Sequence, residues 1–173
     1  LWPFGGSDLE AHVTTEARTD RPLIWAHANT PAAVDAIREV LMRAQLSEPT
    51  LSYVLTAPAS EVAFAPDVVV LDEADAQAGL AWLSETSPDL CFWAQASVAC
   101  ALFGLNHRRS IPTLLINAET GPIWSRTWLW RKTIARQTLK PVFYAFVASN
   151  ESTGSLRNLG LPTRNIEVLG SLL

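Results

Sequence analysis

Side chains that can do chemistry fall in four short stretches, each just after an apolar run of the chain. They are His27, Asn29 and Thr30, then Gln95 and Ser97, then Asn117 and Glu119, and finally Ser149. His27 carries the one group among them that ordinarily titrates near neutral pH. It fits an acid–base position at the end of a strand, and it also fits a structural histidine bonded to a backbone carbonyl.

Most of the other candidates have a simple structural interpretation beside the functional one. Thr30 is followed by Pro31, which is typical of a helix start, and the free amides of such a turn hold either water or an anion. Ser97 fits the N-cap of the next helix, and Glu119 fits a solvated loop carboxylate. Gln95 and Ser97 are suited to lining a pocket, but neither is an acid or a base at neutral pH.

Several common kinds of site are not indicated by the sequence. The two cysteines, Cys91 and Cys100, have no metal-ligand spacing and are interpreted as small buried hydrophobic residues. The chain has no Gly-rich phosphate loop, no Gly-x-Ser-x-Gly elbow and no His-Glu-x-x-His motif. We therefore expect neither a metal nor a bound cofactor.

The elements that must position these residues alternate between short apolar strands and amphipathic helices. Strands are predicted at 23–26, 51–56, 68–71, 90–94, 113–117, 142–148 and 166–169, and helices at 31–44, 74–84, 98–106, 124–139 and 152–159. Strands that are apolar on both faces belong to a parallel sheet covered by helices. The prediction is a three-layer α/β, Rossmann-like domain with a mainly parallel sheet over residues 21–173, preceded by a polar lead-in at 1–20.

Charge is distributed unevenly along the 173 residues. Residues 1–90 hold fourteen acidic and four basic side chains, whereas residues 91–173 hold three acidic and nine basic ones. Part of the basic half is a segment with interleaved tryptophans, namely Trp124, Arg126, Trp128, Trp130, Arg131 and Lys132. This pattern favours contact with an anionic membrane surface, although tryptophans packed on the sheet with solvated bases give the same spacing. Nucleic-acid binding is disfavoured because the whole chain is acidic and lacks a known motif.

Five pieces of the sequence, in order, resemble the N-terminal domain of the 3-deoxy-D-manno-octulosonic acid (Kdo) transferases. The pieces are residues 21–28, 88–90, 111–118, 146–151 together with 156–160, and 166–172. The resemblance implies the N-terminal lobe of a GT-B glycosyltransferase, which takes a lipid A precursor as acceptor. The donor CMP-Kdo is expected on a second, C-terminal lobe, and the location implied is the bacterial cytoplasm, at the surface of the inner membrane.

The chain departs from the family at the positions that the resemblance marks as functional. Ala33 stands where the family has its Glu base, in the Ser-x-Gly-Glu run that follows the first strand. Residues 95–100 lack both acids of the Glu-Thr-Glu-Leu-Trp-Pro run, Glu119 replaces an Arg, and Ala148 replaces a Gln before the retained Ser149. An alanine methyl group cannot accept a proton from an acceptor hydroxyl.

Three interpretations stay open at the level of the sequence. The favoured one is a non-catalytic Kdo-transferase-like lobe that binds a glycolipid acceptor, a membrane surface or a partner, including a homodimer. The second is the acceptor lobe of an active transferase that needs a separate donor lobe and uses His27 or Glu119 as its base. The third is an unrelated α/β interaction module, whose loops at 27–33, 94–98 and 117–121 are not expected to converge on one cleft.

Overall fold

The computed structural model describes residues 21–59, 67–96, 98, 100–117 and 136–170. These residues form one seven-stranded sheet in the order β3-β2-β1-β4-β5-β6-β7, and every neighbouring pair of strands is parallel. In chain order the strands β1 to β7 are Leu23–Ala28, Ser52–Ala57, Val68–Val70, Leu90–Ala94, Thr113–Ile116, Val142–Val147 and Ile166–Val168. The predicted α/β class and parallel sheet are confirmed.

Four helices connect the strands within the described part of the chain. They are α1 (Pro31–Ser47), α2 (Ala76–Thr86), α3 (Ala101–Arg108) and α4 (Asn150–Asn158), and a 3₁₀ turn at Thr163–Asn165 precedes β7. Each helix begins behind a side-chain cap, with Thr30, Asp75, Cys100 and Ser149 accepting a backbone N–H in the first turn. None of the described helices is long and apolar enough to cross a bilayer.

Two details of the predicted helices are corrected by the structure. Helix α3 begins at Ala101 rather than Val98, and its N-cap is Cys100 rather than Ser97, because the Cys100 thiol accepts from the Phe103 amide at 3.3 Å. Val40, which the helical spacing of the predicted 31–44 helix places on the same face as the buried Ile37 and Leu41, is 50% exposed because it lines an open cavity instead of the core. Of the helix predicted at 124–139, residues 136–138 are helical, and 124–135 lie outside the described residues.

The two faces of the sheet are covered differently. One face packs Trp25, Trp93 and Leu115 against α2, α3 and α4 in a core rich in large aromatic side chains. The opposite face packs Ala26, Ala28 and Leu55 against α1, which contacts β1 and β2. Alternate residues of a strand therefore point into different cores, so that His27 shares the face of Trp25 whereas Ala28 shares the face of α1.

The strand order reverses next to β1, and this reversal sets the place of a site. The chain leaves β1 for β2 on one side, whereas β4 pairs with β1 on the other, with Ala28 beside Ala94. In open parallel sheets, ligands bind in the crevice outside the carboxyl ends of the strands at this switch point. The loops that follow β1 and β4 are thus the first place to examine.

Candidate functional site

A hydrogen bond joins the two loops at the switch point. The Thr30 hydroxyl donates to Oε1 of Gln95 at 2.7 Å, and the same hydroxyl accepts from the Ala33 amide at 3.2 Å. Thr30 therefore caps α1 and also ties its first turn to the end of β4. The loops at 27–33 and 94–98 do converge, contrary to what the interpretation as an unrelated module predicts.

Ala33 lies in the first turn of α1 and is buried. It is 2% exposed, and its amide is the one that the Thr30 cap satisfies. In a capping box, the third helical residue is a Glu or Gln whose side chain returns to the cap backbone. Ala33 occupies this position, so the local geometry of a capping box is present while its carboxylate is absent.

A cavity of about 390 Å³, which we call the α1 cavity, lies between α1 and the strands β4, β5 and β6. Among the described residues its apolar wall contains Ala33, Ala36, Ile37, Phe92, Ile116 and Phe146. Glu39 and Arg43, which form an ion pair with each other on the exposed side of α1, also line it. The cavity suits an apolar ligand body, with polar groups at one end.

Gln95 and Asn117 supply those polar groups. They follow β4 and β5 and have positive φ angles of 47° and 48°, a conformation that turns the chain sharply at the strand ends. Their backbone amides continue the hydrogen bonding of the sheet, since Gln95 donates to the carbonyl of Ile116 and Asn117 to that of Phe146. Both side chains line the α1 cavity, and the buried Asn117 Oδ1 atom has no hydrogen-bond partner within the described part of the chain, so there it is an unused acceptor.

His27 points to the other face of the sheet and is fully buried. Its ring stacks on Trp93 at 4.5 Å, and its Nδ1 atom lies 2.9 Å from the Thr56 hydroxyl, which also accepts from the Trp25 indole at 2.8 Å. The histidine is held by a hydroxyl rather than by the backbone carbonyl that the structural interpretation predicts. The Thr56 hydroxyl also donates to the Ala26 carbonyl at 3.3 Å.

The Nε2 atom of His27 faces a carboxylate that the sequence analysis missed. It lies 3.5 Å from Oε1 of Glu73, which is too long for a hydrogen bond, and neither atom has a hydrogen-bond partner among the described residues. Glu73 follows β3 in the loop before α2. The signal for Glu73 in the sequence is its place just after the strand predicted at 68–71.

A second cavity, of about 580 Å³, opens at Glu73, and we call it the Glu73 cavity. Asn29, Asp72 and Cys100 also line it, and it has no described lining residue in common with the α1 cavity. Burial raises the pKa of the Cys100 thiol to about 12, and the nearby Glu73 carboxylate adds to this effect. Burial also raises the pKa of the Cys91 thiol, so both cysteines are protonated at neutral pH.

The remaining candidates are not brought into either cavity by the described part of the structure. Ser149 caps α4 by accepting from the Ser152 amide, and it is exposed. Ser97, Glu119 and the segment containing Trp124, Arg126, Trp128, Trp130, Arg131 and Lys132 lie outside the described residues. Within the described residues, no group of three or more His, Cys, Asp or Glu side chains has an arrangement that fits a metal ion.

This parallel Rossmann-like sheet has the fold expected for the N-terminal lobe of a GT-B enzyme, and the solved structures of two epimerases are among those that share it. The UDP-GlcNAc 2-epimerase from Neisseria meningitidis bound to UDP-GlcNAc is 14% identical with a TM-score of 0.56, over 86% of this chain and 46% of its own. The UDP-N-acetylglucosamine 2-epimerase from Rickettsia bellii is 15% identical with a TM-score of 0.58, over 87% and 45%. This chain thus spans less than half of either epimerase, and the likeness concerns the fold alone.

The sequence match is more specific than the structural likeness. The chain belongs to the 3-deoxy-D-manno-octulosonic-acid transferase (kdotransferase) family, whose model of the N-terminal domain matches residues 8–172. No curated protein matches the sequence. The interpretation as an α/β domain unrelated to this family is therefore wrong.

Proposed function

We propose that this chain is the acceptor-binding lobe of a Kdo-transferase-type protein and that it contributes no proton acceptor from position 33. The observation that carries the proposal is Ala33, which is buried in the wall of the α1 cavity behind an intact Thr30 cap. Because the cap is retained, residue 33 is the third residue of the helix, the position that the family resemblance assigns to the base. Because the side chain is a methyl group, the general base is missing, and its loss costs roughly 10²–10⁴ in rate.

The composition of the α1 cavity supports an amphiphilic acceptor. Its wall is formed largely by α1 and by Phe92, Ile116 and Phe146, which suit an acyl chain or another apolar group. The Asn117 Oδ1 atom at the strand ends, which none of the described residues contacts through a hydrogen bond, suits a hydroxyl or amide donor. A glycolipid combines the two chemistries, and lipid A-like acceptors are the members of that class that the family suggests.

The position of His27 argues against it as a replacement base at this cavity. Its ring belongs to the opposite core, stacked on Trp93, and is fully buried. The alternative in which the lobe is active with a separate donor lobe then relies on Glu119, which lies outside the described residues. In either case CMP-Kdo belongs to a second lobe, supplied by the same gene or by another chain, and a homodimer is a further form of partnership.

Acceptor binding is tested by titrating the chain with a tetraacylated lipid A precursor in detergent micelles and following the tryptophan fluorescence. We expect saturable binding that weakens at least tenfold in Ala36→Trp, because the indole fills the α1 cavity. Ala32→Trp is the matched control, since Ala32 is exposed in the same helical turn and does not line the cavity. Equal binding by the wild type and both variants contradicts the acceptor assignment.

The non-catalytic part of the proposal has a separate assay. The chain is supplied with CMP-Kdo and the same acceptor, and products are separated by mass. We expect no Kdo transfer. Turnover that persists after further purification and disappears in Ala36→Trp would show that the lobe is active and that its base lies elsewhere.

A further inference from the structure

The α1 cavity has a side that none of the described helices covers. Helix α1 contacts β1 and β2, whereas α2, α3 and α4 pack in the aromatic core on the opposite face of the sheet. Leu139, which leads into β6, belongs to that opposite core as well. On the face of α1, the side chains of Phe92, Ile116 and Phe146 are only partly buried. Parallel sheets almost always have both faces covered, so a further element is expected over β4 and β5.

The spacing of the fold leaves the width of one helix at this place. Neighbouring strands lie about 4.8 Å apart and packed helices about 8–10 Å apart, so a helix beside α1 lies two strands further along the sheet, over β4 and β5. Phe92, Leu114 and Ile116 of these two strands line the α1 cavity. The wall on the side of α1 includes Ala33 and Ala36, whose small side chains allow a second helix to approach closely.

The lead-in at residues 1–20, although polar on the whole, contains one stretch with the pattern of an amphipathic helix. Ser7 and Glu10 have the spacing of a capping box, which marks a helix start. Leu9, Val13 and Ala17 follow at intervals of four residues, as the apolar stripe of a helix does. The sequence therefore predicts a helix over residues 8–18 with one apolar face.

The chain attaches this stretch to the sheet beside the uncovered side of the cavity. Residues 19–22 separate it from β1, and four residues are a usual length for a connection between a helix and a strand. Because β1 pairs with β4, this connection lets a helix lie antiparallel to the strands over β4. A helix over residues 8–18 is about 16 Å long, which fits the length of about 20 Å of a six-residue strand. The family model matches from residue 8 onward, so the stretch is part of the domain that the family shares.

We propose that residues 8–18 form an amphipathic helix that docks in the α1 cavity, with Leu9, Val13 and Ala17 against its apolar wall, and that an acceptor displaces this helix. The competition with the acceptor, unlike the docking, rests on the proposed function. A docked helix weakens the apparent affinity for the acceptor in proportion to the fraction of molecules in which the cavity is free.

Thiol labelling of the whole chain tests the docking without any acceptor. Val40 and Met42 of α1 are 50% and 52% exposed, but of these two residues Val40 alone lines the cavity. In the separate variants Val40→Cys and Met42→Cys, the new thiol is labelled at pH 8 while both native thiols react slowly, because burial raises their pKa. We expect the thiol of Val40→Cys to react about tenfold more slowly than that of Met42→Cys, since the docked helix protects it. Equal rates overturn the docking.

Variants of the lead-in identify the occupant of the cavity. The double variant Leu9→Asp/Val13→Asp loses the apolar stripe, and in this background we expect Val40→Cys to react about tenfold faster. The matched control is Thr14→Asp/Thr15→Asp, which adds the same charge outside the stripe. The same Val40→Cys rate in both backgrounds overturns the proposal. A rate that falls as the protein concentration rises also overturns it, because the occupant is then a second copy of the chain. The comparison of the two cysteine positions in the unaltered lead-in stays decisive if a double variant folds poorly.

The competition has a readout of its own. In the titration with the tetraacylated lipid A precursor, we expect Leu9→Asp/Val13→Asp to bind about tenfold more tightly than Thr14→Asp/Thr15→Asp. Equal affinities overturn the competition. Absence of lipid binding in every variant contradicts the proposed function alone, since the labelling rates decide the docking by themselves.

Discussion

The hydroxyl of Thr30 accepts the amide of Ala33 and donates to the side chain of Gln95, so that one atom both begins helix α1 and closes the crevice between β1 and β4. Thr30, which makes this bridge, has a hydroxyl where the motif implied by the family resemblance has Ser. Ala33 lacks the carboxylate that the same motif has at its position. The shape of the site is therefore maintained independently of the group that the chemistry needs.

Removing the Thr30 hydroxyl is expected to destabilise the domain. Thr30→Ala loses an N-cap, typically worth about 1 kcal/mol, and the hydrogen bond to Gln95, worth roughly another 1 kcal/mol. Thr30→Ser keeps both contacts and should stay close to the wild type. Urea unfolding followed by circular dichroism measures the difference. A loss in Thr30→Ala no larger than that in Thr30→Ser contradicts the bridging role.

Two glycines in neighbouring helices should respond differently to a methyl group. A Cβ atom on Gly104 of α3 meets nothing within 4 Å, so Gly104→Ala is expected to gain up to about 1 kcal/mol of helix propensity. A Cβ atom on Gly79 of α2 lies 2.7 Å from the buried Leu102 side chain, so Leu102 must shift and much of the same gain is lost. Thermal unfolding of the two variants measures the difference in their stability. A Gly79→Ala variant that is more stable than Gly104→Ala contradicts the packing between α2 and α3.

The order of strands and helices was predictable because each signal is local. The apolar runs at 23–26 and 90–94 are short and continuous, as buried parallel strands are, and Thr30-Pro31 marks the start of α1. The start of α3 was misjudged for a reason that the sequence does not contain. Because a thiol is a weaker hydrogen-bond acceptor than a hydroxyl, the sequence favours Ser97 over Cys100 as the N-cap of this helix. In the structure α3 begins after Cys100, and the Leu102 amide in its first turn donates to the carbonyl of Glu73.

The pairing of His27 with Glu73 could not be deduced in the same way. His27 is the next-to-last residue of β1 and Glu73 follows β3, which is two strands away at the edge of the sheet. Whether their side chains meet depends on how the loop after a three-residue strand crosses over the ends of β2 and β1, and no periodic pattern reports that path. The same limitation applies to the α1 cavity, whose walls come from α1 and three separate strands.

The tryptophan-rich basic segment predicts binding to anionic membranes. The chain should sediment with vesicles that contain an anionic phospholipid, not with phosphatidylcholine alone, and high salt should release it because such attraction is screened. Replacing Arg126, Arg131 and Lys132 by Glu should abolish sedimentation. The matched control replaces three exposed arginines outside this segment by Glu, namely Arg108, Arg157 and Arg164, and so changes the net charge equally. Sedimentation that survives the first triple variant rules out the segment as the contact.

The thiol of Cys100 should be unreactive in the folded protein. Its pKa of about 12 means that at pH 8 it holds roughly a thousandfold less thiolate than an ordinary exposed cysteine, and only the thiolate reacts. Because folding raises the pKa of this thiol, its contribution to the stability of the native state is complete below the unfolded pKa of about 8.5. That contribution is lost as the pH rises toward the pKa of the folded protein. Stability should therefore decline above about pH 8.5. Labelling with a thiol-specific disulfide reagent at pH 8 should be slow in buffer and fast for both cysteines in denaturing urea. Cys100→Ser identifies the remaining signal as that of Cys91, and rapid labelling of one native thiol that vanishes in this variant contradicts the buried, helix-capping environment of Cys100.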